Sequence, residues 1–205
     1  SVTIYQMELP FNTVYSKDIL GNQVESPVAD WDTKRAWVEY AFAEFEKAGY
    51  SVSSAYTVVK DPTKVNFSYR DNLWQGADLL ATGIASFGHA NGVHYQNLAD
   101  LEKYLTTIES GKLPLGRGFV PSSHQQLVRE MILLLKRGYL DVGYFRDKFG
   151  VDIREEFSEQ WQSYVTDGYV KLNGDAIELT QAGLLRVDAL LPPFFEVEFQ
   201  GVRYT

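Results

Sequence analysis

Apolar residues recur at helical spacing between Trp31 and Tyr50. Ala36 or Trp37, Tyr40 or Ala41, Phe45 and Ala48 share a face, Asp32 is the expected cap and Gly49 the expected stop. Ahead of this helix, SVTIYQMEL alternates Val2, Ile4 and Gln6 with Thr3, Tyr5 and Met7, the two-residue period of a strand. PFNTVYSKDILGNQVESPVAD joins the two as a long polar connection carrying Pro10, Gly21 and Pro27. After the helix, SVSSAYTVV, VNFSYRD and LLATGIASF are short and rich in β-branched or aromatic residues, so each predicts a strand. Strand, helix, strand in this order predicts an α/β layer with a parallel sheet, a pattern that also suits part of a barrel.

The next helix, LADLEKYLTTIESG, sets Leu98, Leu101, Leu105 and Ile108 on one face, with Asn97 as N-cap and Gly111 as its end. Pro114, Gly116, Gly118 and Pro121 break regular structure in LPLGRGFVP, which predicts a linker. The expected division is residues 1–112, a linker at 113–118, and a second domain over 119–205. In that domain SSHQQLVREMILLLKRG, DVGYFRDKFG and IREEFSEQWQSYVTDG read as helices. Asn173 and Gly174 mark a hairpin in VKLNGDAIEL, and Thr180 caps a last helix, QAGLLRVDALL, before Pro192 and Pro193. Three helices, a hairpin and a helix make a winged-helix-like order.

Charge decides what such a domain does not do. Residues 119–200 carry 8 Lys and Arg against 13 Asp and Glu, and the third helix sets Arg154 against Glu155, Glu156 and Glu159. That surface repels phosphate, so an adaptor is favoured over a DNA reader. The whole chain, at −8, disfavours nucleic acid and anionic membrane alike. No apolar run approaches the ~20 residues of a membrane span, and the cytoplasm is the expected location. With no cysteine among 205 residues, the chain has no disulfide framework and no thiolate for a cluster or zinc. The start in mid-strand, without Met, is expected of a piece of something longer.

Candidate chemistry concentrates in GADLLATGIASFGHANGVHYQN, Gly76 to Asn97. Gly76, Gly83, Gly88 and Gly92 lack the spacing of a phosphate loop, but glycine lets backbone approach another surface closely. His89, His94, Tyr95 and Asn97 crowd just beyond, where a barrel strand would meet its ligands. The two histidines are five apart, not the helical spacing of a zinc pair, and no metal site is expected. His124 is expected at the surface. No nucleophile turn or paired-carboxylate arrangement emerges, so no catalytic residue is assigned from the pattern.

Three longer stretches together carry a resemblance: YRDNLWQGADLLATGIASFGHANGVHYQNLADLEKYLTTIESGKLPLGRG, then REMILLLKRGYLDVGYFRDKFGVD, then DGYVKLNGDAIELTQAGLLRVDALL. With the opening TIYQMELP, they resemble the C-terminal part of the oxygen-independent coproporphyrinogen III oxidases and their relatives. That resemblance implies the last strands and helices of an incomplete TIM-like radical S-adenosylmethionine (SAM) barrel, followed by a helical winged-helix-like domain. It implies S-adenosylmethionine and an iron–sulfur cluster for the full-length protein, with neither held by this chain alone, and a missing N-terminal half as partner. It further implies a tetrapyrrole substrate. By similarity Tyr5, Gln6, Met7, Gly83 and Ile84 face the cofactor, and Ser86, Phe87, His89, Tyr95 and Asn97 face the substrate. Trp74 and Asp78 would support the loop, and Arg70, Lys112 or Arg117 would meet substrate carboxylates. Phe87, Gly88 and His89 depart from the well-studied oxidases, which leaves open a haem-binding chaperone using His89 or His94, or a haem-modifying relative.

Overall fold

The computed structural model describes residues 1–7, 13–21 and 28–200. Pro10 and Pro27 lie outside them. In chain order the elements begin β1 (Val2–Thr3), α1 (Val14–Leu20), α2 (Trp31–Lys47), β2 (Ser51–Ser54), β3 (Thr57–Val59), α3 (Ser68–Trp74), β4 (Phe87–Ala90), β5 (Val93–Asn97), α4 (Leu101–Glu109) and β6 (Leu115–Phe119). They continue α5 (Ser123–Leu135), β7 (Tyr139–Asp141), α6 (Val142–Phe149), α7 (Ile153–Glu156), α8 (Ser158–Thr166), β8 (Val170–Asn173), β9 (Ala176–Leu179), α9 (Gln181–Leu184) and α10 (Val187–Leu190), before short 3-10 turns at 192–194 and 197–199. The fold is mixed α/β. Among the described residues the ladders form three small sheets, ordered β1-β3-β2, β4-β5-β6 and β7-β9-β8, and every pairing is antiparallel.

The expected parallel layer is therefore not what these strands build, and the reason is local. SVSSAYTVV folds back on itself as the β2–β3 hairpin, so its apolar residues find partners within a few positions. VNFSYRD does not form a strand: Ser68–Trp74 is helical, with Arg70 stacked over Phe67 and Trp74 at 4.4 and 5.2 Å. LLATGIASF is loop up to Phe87, apart from one bridge between Leu79 and His89. The glycine and proline of the expected linker do not prevent β6, which pairs with β5 from Leu115 to Phe119. The expected long connection contains α1, capped by Thr13, whose side chain accepts from the Ser16 N–H at 3.2 Å.

Residue contacts divide the chain into two units, one of residues 1–66, 135–147 and 151–205, the other of 67–134 and 148–150. In the first, α2 is capped by Asp30, which accepts from Thr33 N–H at 2.8 Å; Asp32 lies inside the first turn, where its charge favours the helix dipole. Its buried Val38 and Phe42 pack with Val58 of β3, and Val2, Ile4, Phe45, Tyr50, Val52 and Leu185 close around them. The later part of the unit is built on aromatic rings. Phe194 lies 4.7 Å from Trp161, 5.3 Å from Phe157 and 5.9 Å from Tyr164, in tilted and edge-on contacts. Trp161 Nε1 donates to Ile153 carbonyl at 2.7 Å and the Tyr164 hydroxyl donates to Leu190 carbonyl at 2.8 Å, which satisfies both buried polar tips. Burial pushes the Tyr164 hydroxyl up to about 12.

One expected helix is two here. Phe157, at φ −118° and ψ 36°, leaves helical geometry between α7 and α8 and turns its ring into this cluster. The last helix is likewise split, into α9 and α10. The hairpin at Asn173 and Gly174 forms with its loop displaced by one position: Asn173 pairs with Ala176, leaving Gly174 and Asp175 as the turn.

The second unit holds α3, the β4-β5-β6 sheet, α4 and most of α5. Asn97, expected to cap α4, ends β5 instead, and Asp100 is the cap, accepting from Lys103 N–H at 2.9 Å. Glu130 of α5 is buried and bonded by both carboxylate oxygens to Lys148 Nζ, at 2.8 and 2.9 Å. No described helix is long and apolar enough to cross a membrane.

Candidate site on the β4-β5-β6 sheet

The turn between β4 and β5 is Asn91–Gly92, both with positive φ (49° and 76°), the pairing a tight two-residue hairpin demands. Asp78 accepts from the Asn91 N–H at 2.9 Å and so anchors that turn. Register then fixes the faces. Phe87, Gln96 and Arg117 lie directly opposite one another across three strands, as do His89, His94 and Phe119 one step along, so all six share a face. Gly88, Tyr95 and Gly118 share the other.

On that second face a Cβ at Gly88 would stand 2.2 Å from Tyr95 Cζ, which is why glycine is required there. The Tyr95 ring covers the glycine, and its hydroxyl accepts from the Ala81 N–H at 2.9 Å. Asn97, buried, donates to the Gly83 and Ala81 carbonyls at 2.9 and 3.3 Å. Gln96 Nε2 donates to the Ala85 carbonyl at 2.9 Å, and the Tyr104 hydroxyl accepts from the Gly83 N–H at 3.1 Å. The Ser86 hydroxyl donates to the Thr82 carbonyl at 2.7 Å. A loop with no ladder of its own thus has its backbone groups met by side chains of β5 and α4. Tyr95, Asn97 and Ser86 spend their polar atoms on this task. Ile84 and Phe87 are left exposed by it.

The first face opens on a cavity of about 250 Å³ lined by Phe87, His94, Tyr95, Gln96, Arg117, Gly118 and Phe119. Phe87 and Phe119 are both exposed, and Arg117 donates through Nε to Gln96 Oε1 at 2.7 Å, which orients its guanidinium beside them. An aromatic shelf with one oriented cation suits a flat apolar ligand that carries a carboxylate. At its edge His89 is buried, and its Nδ1 lies 3.2 Å from His94 Nδ1, with the ring centroids 4.4 Å apart. Burial, with His89 and then Arg129 nearby, brings His94 down to about 4; burial and Arg129 lower His89 as well, against Asp78 and Glu130. Both rings are neutral at pH 7, one donating to the other.

Tyr5, Gln6 and Met7 lie in the other unit, beyond the short β1, and line a separate cavity of about 270 Å³ with Ile4, Val28, Ala29, Lys34, Trp37 and Val38. Tyr5 and Met7 are largely exposed. Arg70 is committed to its two aromatic rings and to Asp71, at 2.8 Å from Nε to Oδ1. Lys112 is exposed after α4. The sequence pattern does not single out Gln96 or Phe119, and it places Trp37 on a helix face rather than at a cavity. Asn91–Gly92, flanked by alternating residues, was the signal that would have paired β4 with β5 and brought Gln96 into view.

Among the described residues no group of three His, Asp or Glu could hold a metal ion, and the chain has no thiolate. Its residues do not fit an iron–sulfur cluster.

Comparison with known proteins gives this arrangement a setting. Residues 122–186 match the HemN C-terminal domain. The oxygen-independent coproporphyrinogen III oxidase of Pseudomonas aeruginosa is 25% identical over 120 residues, which is 55% of this chain and 25% of that protein. That of Helicobacter pylori is 29% identical over 108 residues, 51% of this chain and 24% of that protein. The structure of coproporphyrinogen III oxidase (HemN) from Escherichia coli, described as a radical SAM enzyme, aligns with 91% of this chain and 45% of its own, at a TM-score of 0.66 and 17% identity. The aligned part spans about a quarter of the curated relatives and under half of the solved chain. By sequence over residues 122–186 and by fold over most of its length, the chain is HemN-like and resembles the C-terminal part of the oxygen-independent coproporphyrinogen III oxidases.

Proposed function

We propose that this chain is the C-terminal portion of a radical S-adenosylmethionine protein acting on a tetrapyrrole, in the manner of an oxygen-independent coproporphyrinogen III oxidase, which would oxidatively decarboxylate porphyrinogen propionates. In this reading the N-terminal elements belong to a partial TIM-like barrel, and the helices after residue 119, with the β8–β9 hairpin, to a winged-helix-like adaptor. The cluster and the cofactor chemistry belong to polypeptide outside this chain, because no cysteine is available here. Tyr5, Gln6 and Met7 would face the cofactor side through their own cavity. The likeness of sequence and fold to coproporphyrinogen oxidases supports the enzyme class.

The observation that carries the ligand assignment is the Phe87–Arg117–Phe119 shelf, whose exposed rings and oriented guanidinium match the pyrrole rings and carboxylate arms of a tetrapyrrole. Titrating coproporphyrin III into the chain and following quenching of its fluorescence tests it. Phe87→Ala and Arg117→Gln should each weaken binding about tenfold, some 1.4 kcal/mol; equal affinity for wild type and both variants would end the assignment.

A second reading, haem capture without chemistry, is favoured by one feature. His94 lines the same cavity and is held neutral, the state an iron ligand needs. It predicts a shifted Soret band with haemin that disappears in His94→Ala. An unshifted band with bound coproporphyrin separates the two.

A further inference from the structure

Away from the sheet, α2 and the turn after α9 border a cavity of about 550 Å³, within the range of small-molecule sites. Two arginines line it, Arg35 and Arg186, together with Ala36, Thr180, Gln181 and Leu185. Neither guanidinium has all its donors met. The Nε–H groups of Arg35 and Arg186 are both closed off from solvent and have no hydrogen-bond partner, and they are the buried side-chain atoms so placed among the described residues. Arg35 has its side chain only 19% exposed, yet its nearest carboxylates are Asp32 at 3.7 Å and Asp188 at 3.9 Å, too far for hydrogen bonds. Asp32 is fully exposed, so water screens it. Glu39 also borders the cavity from α2. Arg186 is held in place, with Nη1 donating to the Tyr169 hydroxyl at 2.8 Å and the guanidinium 4.8 Å above the Tyr169 ring.

Buried donors ordinarily find acceptors, and here two half-satisfied guanidiniums border one cavity that the carboxylates of Asp32 and Glu39 also line. We propose that this cavity binds a small oxyanion-bearing ligand, a phosphate or a carboxylate, through Arg35 and Arg186. The planar forks of both residues match either group, and the clamp on Tyr169 lowers the ordering cost. Ligand oxygens meet the Nη groups, and a turn of each guanidinium brings its Nε–H into the same fork. Thr180 and Gln181 add polar contacts, while Ala36 and Leu185 offer an apolar wall. The assignment rests on no part of the tetrapyrrole reading.

The test is an amide-resolved NMR titration of the 205-residue chain with inorganic phosphate and, separately, with succinate, at constant ionic strength. Saturable shifts at Ala36, Gln181 and Ala182 are expected, weakened about tenfold by Arg35→Gln and by Arg186→Gln, and unchanged by Lys47→Gln at the far end of α2. Tighter binding of phosphate assigns a phosphoryl ligand, and tighter binding of succinate a carboxylate one. Should Arg35→Gln lose spectral dispersion, Arg35→Lys keeps the charge and stem but not the fork, and it should still bind more weakly. Linear, non-saturating shifts with both anions, or equal affinity in wild type and the folded arginine variants, would overturn the proposal.

Discussion

Substituting Gly88 by alanine probes the device that holds the candidate loop in place. The added methyl would stand 2.2 to 2.5 Å from three atoms of the Tyr95 side chain, well inside contact distance. The φ of Gly88 is not positive, so the backbone tolerates alanine and the cost is steric. Relieving the overlap requires the ring to swing out, which also removes the acceptor of the Ala81 N–H. Overpacking costs about 1–3 kcal/mol and the lost bond about 1 kcal/mol, so Gly88→Ala should destabilise this unit by roughly 2–4 kcal/mol. In a Tyr95→Ala background the methyl has room, and the same substitution should cost less than about 0.5 kcal/mol. The coupling in this cycle should therefore be about 1.5 kcal/mol or more, as expected of residues in contact. Urea unfolding of the four proteins gives the energies, and exchange of the Ala81 amide reports whether the loop is released. A cost for Gly88→Ala that persists undiminished without the Tyr95 ring would refute the reasoning.

Further outcomes follow from the charges and close contacts. His94 titrates in the folded chain at about 4 against an ordinary 6.5, so the unfolded chain takes up the proton first. Stability should then fall as pH drops through that window and level off below it; an NMR titration of His94 with a midpoint near the ordinary value would contradict this. The Arg154 and Arg146 side chains beside Asp152 hold its carboxyl far below the usual range. Stability from this group is present above the ordinary carboxylate value and is lost in acid, and Asp152→Asn should flatten the acid limb of a stability–pH curve. Lys148→Met leaves the buried Glu130 without its 2.8 Å partner and should cost about 2 kcal/mol, the lysine being partly exposed, whereas adding Glu130→Gln should recover part of the loss. Gly183→Ala sets a methyl 2.2 Å from the Tyr169 carbonyl oxygen, which is backbone and cannot step aside; about 3 kcal/mol or more should be lost in chemical denaturation.

What the sequence by itself determined were the features that depend on neighbours along the chain. The helices α2 and α5 and the glycine-bearing hairpin near Asn173 were legible, because helical spacing and turn chemistry act over a few residues; the buried face of α2, Val38 and Phe42 rather than Trp37 and Tyr40, was not, nor were β7 and the breaks after α7 and α9. The absence of cysteine settled equally directly that a cluster finds no thiolate here. Strand direction and partnership were not legible, since a short apolar run looks the same whether it pairs parallel, antiparallel or not at all. LLATGIASF reads as a strand by composition, yet Tyr95, Asn97, Gln96 and Tyr104 hold most of it as loop, and all four act from more than ten residues away. LGRGF reads as a linker by its glycines, yet register against β5 makes it a strand and carries Arg117 to the side of Phe87 and Gln96. The pairing of Arg35 with Arg186 around one cavity, from positions 151 residues apart, is likewise a product of chain folding alone. Local patterns encode elements; only packing in three dimensions decides which distant donors and rings come to share a surface.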